Sequence, residues 1–140
     1  MTDMDALEAL VGDWTTEVVL PGGGGVVRGE MTMEWMDGGG YLVQRWAMED
    51  PAFPRGIAAI GPDRSGERIV QHYFDSRGVA RVYDIALEHG VLRLSRDDED
   101  FAQRYTGTFS DDGSAIEGAW ERTEPDGSWV HDFELTYRRR

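Results

Sequence analysis

The chain has 140 residues, enough for one domain and one core. It carries 27 acidic and 14 basic residues, a formal net charge of −13, which repels polyanions and argues against nucleic acid and anionic membrane surfaces as partners. It contains no cysteine, which removes disulfides, thiolate metal sites and cysteine nucleophiles from consideration and fits a cytoplasmic location.

The N-terminus is acidic and polar, without the basic start and apolar run of a signal peptide. One short helix is predicted there: Thr2 or Asp3 caps it, Leu7, Leu10 and Val11 share a face, and Gly12 stops it. From Gly12 onward the chain reads as strands and turns. The tetraglycine Gly22–Gly25 reads as a hairpin loop. Further turn signals follow at short intervals: Gly38–Gly40, Pro62–Gly66, Asp75–Gly78, His89-Gly90, Asp111–Gly113 and Pro125–Gly127. The intervals are too short for crossover helices, so the sheet must be antiparallel.

About ten strands are predicted, near 13–20, 26–37, 40–48, 56–61, 67–75, 79–88, 91–96, 101–110, 115–123 and 128–138. In the second, Val27, Gly29, Met31, Met33 and Trp35 oppose Arg28, Glu30, Thr32 and Glu34. In the eighth, Phe101, Gln103, Tyr105, Gly107 and Phe109 share one face. In the last, Trp129, His131, Phe133, Leu135 and Tyr137 do so. One apolar and one polar face per strand predicts an all-β domain over residues 1–140. A single closed up-and-down antiparallel barrel is the leading reading, and a two-sheet sandwich the alternative.

Gly12-Asp13-Trp14, at the start of the first strand, resembles the signature of the lipocalins and calycins. The segments Gln71–Gly78 and Val130–Arg138 look like a lipocalin-like family of uncharacterised bacterial proteins. This resemblance implies a barrel in which Trp14 closes one end against a basic residue of the last strand, Arg138 or Arg139, as a cation–π pair. It implies no particular activity.

Polar groups on the inward faces are the candidates for function. His131 alternates with large apolar neighbours, so the pattern places its ring inside, where it must find a partner. A ten-stranded barrel with a histidine on its last strand, nine residues from the end of the chain, is also similar to the nitrobindins. That resemblance implies His131 as an axial haem ligand. The chain departs from nitrobindins after the tryptophan, where Thr15-Thr16-Glu17 stand in place of glycines. Gln103, Arg122 and Arg81 fall beside Tyr105, Trp120 and Tyr83 on faces assigned inward. An interior arginine needs a protein or ligand anion. Fatty-acid-binding proteins, which the chain resembles in strand number, use interior arginine and tyrosine in that way, but the gap at 21–25 is too short for their helical lid. Both faces of Ile69–Phe74 are apolar, so alternation leaves open whether Gln71 or His72 points inward. The acidic run Asp97–Asp100 has no glycine for a calcium loop and reads as a solvated loop.

The functional expectation is a binder of a small hydrophobic or amphipathic molecule. Trp35, Tyr83, Gln103, Tyr105, Trp120, Arg122, His131 and Phe133 would line the site, with Phe101, Phe109 and Tyr137 as further wall candidates. The segment Glu49–Arg55 would cover a mouth. No cofactor is expected, haem through His131 being the alternative. A second alternative is a small barrel enzyme of cyclase or isomerase type, with His131 and Tyr83 or Tyr105 as acid and base. A homodimer is compatible with the sequence but not readable from it.

Overall fold

The computed structural model describes residues 4–98 and 101–140. The expected helix caps, Thr2 and Asp3, and two residues of the acidic run, Glu99 and Asp100, lie outside the described residues. Ten antiparallel strands form a closed barrel: β1 (Gly12–Val19), β2 (Val26–Trp35), β3 (Leu42–Met48), β4 (Gly56–Pro62), β5 (Ile69–Asp75), β6 (Ala80–Glu88), β7 (Val91–Arg96), β8 (Gln103–Phe109), β9 (Ala115–Thr123) and β10 (Trp129–Arg139). Each strand pairs with its chain neighbours, and β1 closes the ring against β10 from Trp14 opposite Arg139 to Val19 opposite Glu134. Closure leaves no unpaired edge. Among the described residues no helix is long and apolar enough to cross a membrane.

The N-terminal helix, Met4–Leu10, is a 3-10 helix. Its two fully buried residues, Leu7 and Leu10, are three apart, the spacing that stacks side chains on one edge at three residues per turn. They pack into the core at one barrel end. Trp14 is completely buried beside them and donates its indole N–H to the Leu10 carbonyl at 2.9 Å. The Arg139 guanidinium lies 4.2 Å from the centre of the Trp14 ring and donates to the carbonyls of Ala9, Val11 and Gly113. Of the two candidates, Arg139 makes the cation–π pair. Gly12 sits at φ 134°, and a β-carbon there would lie 2.8 Å from an Arg139 nitrogen. Glycine is therefore required before this tryptophan for both backbone conformation and space.

Alternation predicts the facing of most strands. Val27, Gly29, Met31 and Met33 of β2 are buried, as are Gln103, Tyr105 and Gly107 of β8. The last strand differs. Between His131, opposite Glu121, and Phe133, opposite Trp120, the register shifts by one residue, so Asp132 is an extra residue in a β-bulge. A bulge reverses the phase of alternation on its far side. Phe133, Leu135 and Tyr137 face the lumen, whereas Trp129 and His131 are exposed on the outside.

Candidate functional site

The barrel encloses a cavity of about 280 Å³. It begins at Leu10 beneath the Trp14 plug and extends toward the opposite end, where Leu20, Met48, Phe53 and Pro54 line it. The segment expected to cover a mouth thus contributes Phe53 and Pro54 to the wall. Every lining side chain among the described residues is uncharged, and most are aliphatic or aromatic.

The aromatic wall is continuous. Trp46 stacks on Tyr73 at 5.2 Å, Tyr73 meets Tyr83 edge to face at 6.0 Å, and Tyr83 meets Trp120 at 5.6 Å. Trp120 contacts both Tyr105 and Phe133. Such offset and edge contacts hold rings in fixed orientations. Tyr105 is 1% exposed and lies behind the wall. Its ring fits a slot left by Gly107 and Gly118, where a β-carbon on Gly118 would come within 2.8 Å of it. Its hydroxyl donates to the Leu135 carbonyl at 2.9 Å, and burial pushes its phenol pKa up.

Gln71, Gln44, Thr16 and Tyr137 are polar side chains of the lumen that bond no charged group among the described residues. Gln71 donates its amide to the Gln44 carbonyl oxygen at 2.7 Å, and Gln44 donates to the Met31 sulfur at 2.9 Å. Both glutamines are buried. The Thr16 hydroxyl contacts the Met48 sulfur. Tyr137 stands edge-on to Trp14 and Tyr105, and burial raises its phenol pKa. It is partly accessible and borders the cavity.

The mouth end is rimmed by charged side chains. The Asp75 carboxylate is fully covered and accepts from the Tyr73 hydroxyl at 2.6 Å and the Arg77 guanidinium at 2.6 Å. Arg77 first, then Tyr73, hold its pKa well below the usual carboxylate range. Burial and the adjacent Asp75 push the Tyr73 phenol up. Arg81 donates to the Gln103 carbonyl oxygen at 3.3 Å, which also accepts from the Tyr83 hydroxyl at 3.0 Å. Arg122 pairs with Glu124 at 3.3 Å and with Asp132, the bulge residue, at 3.8 Å.

The predicted site residues separate accordingly. Tyr83, Trp120 and Phe133 line the cavity. Gln103 is buried just outside it, anchoring Tyr83 and Arg81. Arg122 belongs to the charged rim. Trp35 lies at the closed end, where its indole donates to Glu8 at 2.6 Å, and does not border the cavity. Phe101 and Phe109 are half-buried at the two ends of β8 and do not border it either. His131 requires correction. The bulge turns it outward beside Glu121, near the Arg104–Trp129 pair at 3.9 Å. From there its imidazole can neither ligate a group held inside the barrel nor share a proton with Tyr83 or Tyr105. The choice left open in β5 resolves to Gln71, which opposes Ile60 and Tyr83, with His72 on the outer face.

Alternation missed Gln44, Trp46 and Tyr73. Leu42, Gln44, Trp46 and Met48 form an alternating set against Val43, Arg45, Ala47 and Glu49, so the signal for Gln44 was present. Tyr73 required knowing which face of β5 turns inward.

No family model matches the chain, and no curated protein resembles it detectably in sequence. Among solved structures it is similar to Rv2717c from M. tuberculosis, at a TM-score of 0.66 and 12% identity, over 100% of this chain and 99% of that one. At that identity the likeness concerns the fold, a ten-stranded closed barrel.

Proposed function

We propose that this chain is a lipocalin-like, cytoplasmic binding protein that holds a small, largely apolar molecule inside its barrel. The observation that carries this reading is the apolar cavity inside the barrel with a few fixed polar groups, the usual makeup of a small-molecule site. The Gly12–Trp14–Arg139 plug supports the lipocalin-like kinship, because in that family a tryptophan and a basic residue of the last strand cover one barrel end in the same way. Eight to ten strands leave a lumen that side chains fill or that one small ligand occupies, and here side chains leave about 280 Å³ unfilled.

Native mass spectrometry of the purified protein tests the reading. A retained small molecule at one per chain, released on denaturation, is the expected result. Protein that carries nothing and takes up no neutral apolar fluorophore overturns it.

A further inference from the structure

We infer that the cavity selects uncharged molecules bearing an oxygen acceptor, such as ketones, over carboxylates of the same chain length, with the Tyr137 hydroxyl as the donor. The inference rests on the binding function proposed above and specifies its ligand class.

The five tyrosines supply the first argument. The hydroxyls of Tyr41, Tyr73, Tyr83 and Tyr105 donate to Pro62, Asp75, Gln103 and Leu135 respectively. That of Tyr137 has no acceptor among the described residues, although its ring is packed between Trp14 and Tyr105. No sealed side-chain polar atom is left without a partner among the described residues, so this hydroxyl opens onto the cavity that its side chain lines. A phenol O–H in an apolar chamber without an acceptor forgoes a hydrogen bond, and a ligand oxygen restores it.

The second argument is charge. Among the described residues no cation lines the cavity, and of the arginines at the mouth Arg77 and Arg122 are held by Asp75, Glu124 and Asp132, while Arg81 donates to the neutral Gln103. Tyr137 lies beside the Trp14 plug, so a molecule bonded to it has its oxygen at the closed end, away from those arginines. An unpaired carboxylate placed there loses its hydration without gaining a counter-charge, while a neutral carbonyl loses little. The burial that raises the Tyr137 pKa keeps the phenol protonated and able to donate. Gln71 adds a neutral amide on β5, five strands from β10 in a ring of ten and hence on the facing wall.

Displacement of the neutral fluorophore N-phenylnaphthylamine separates the possibilities. The competitors are a nine-carbon methyl ketone and the nine-carbon carboxylate at neutral pH, on wild type and on Tyr137→Phe. The ketone should compete at least about tenfold better than the carboxylate on wild type. On Tyr137→Phe its affinity should fall by roughly two- to tenfold, the range of one hydrogen bond, with fluorophore affinity unchanged. Equal or better competition by the carboxylate on wild type overturns the inference, and that arm needs no variant. So does a ketone affinity indifferent to Tyr137→Phe. Failure of the fluorophore to bind wild type overturns the binding function itself.

Discussion

The two ends of this barrel are held by different physics. At the closed end, Leu7, Leu10 and Trp14 are essentially inaccessible to solvent, and one exposed arginine, Arg139, straps the C-terminal strand across them. At the mouth the large apolar side chains Leu20, Met48 and Phe53 are only half-buried, and the chain is held there by Asp75–Arg77, Arg81–Gln103 and Arg122–Asp132. Burial of uncharged side chains gives the plug a contribution that does not titrate, although the turns at that end hold Asp63 and Asp112 below the usual carboxylate range through their own hydrogen bonds. The Asp75–Arg77 and Arg122–Asp132 pairs at the mouth contribute a stability that acid can remove, while the Arg81–Gln103 bond has a neutral acceptor that acid leaves unchanged. A binding barrel needs this asymmetry, because two apolar plugs would exclude the ligand with the water.

The largest effect should come from the plug. Trp14→Ala removes a fully buried indole and is expected to cost about 3–5 kcal/mol, read from denaturant unfolding. A loss below about 1 kcal/mol would mean that the end is not closed by burial.

Asp75→Asn probes the other end. Breaking its charge-assisted bonds to Arg77 and Tyr73 should cost roughly 1.5–3 kcal/mol at neutral pH. The pH dependence distinguishes the two ends. Asp75 has a folded-state pKa below its unfolded value, so the unfolded chain takes up the proton first. Its contribution is present above an unfolded value near about 3.9 and is lost as pH falls through and below it. The wild type should therefore lose stability below about pH 4 more steeply than Asp75→Asn. Parallel curves would contradict the account of the rim.

Arg139→Ala removes the strap but leaves Trp14 covered by Leu7 and Leu10. A loss of about 1–2 kcal/mol is expected, from one exposed cation–π contact and hydrogen bonds to three carbonyls. Thermal unfolding at low and high salt checks it. The smallest effect belongs to His131→Gln, which should change stability by less than about 0.5 kcal/mol because the side chain is exposed. A larger loss would place the imidazole inside and remove the bulge at Asp132.

That bulge marks where the sequence ceases to be legible. The ten strands, their antiparallel order and the inward face of β2 follow from turn residues and period-two alternation. The plug follows from Gly12-Asp13-Trp14 and a C-terminal arginine, although only the structure selects Arg139 over Arg138. In β10 the apolar series Trp129, His131, Phe133, Leu135, Tyr137 runs without interruption, so nothing in the pattern marks Asp132 as an extra residue. The phase error affects only the residues before the bulge, so the pattern gives the facing of Phe133 and not that of His131. In β5 both faces are apolar, and only the pairing of Gln71 with Ile60 and Tyr83 settles which is interior. The Gln44–Gln71 and Tyr83–Gln103 bonds join strands apart in sequence, and no local pattern encodes them.

The central claim is that the lumen, and no surface groove, receives an apolar molecule. Leu135 points into the cavity from β10, and Leu135→Trp would fill that space without touching the plug or the rim. Fluorophore titration of wild type and Leu135→Trp, with circular dichroism confirming that both retain the β-barrel, tests the claim most directly. The account predicts one fluorophore per chain on wild type and at least about tenfold weaker binding on Leu135→Trp, as expected when a bulky side chain occupies the site. Equal binding by two folded proteins would contradict it.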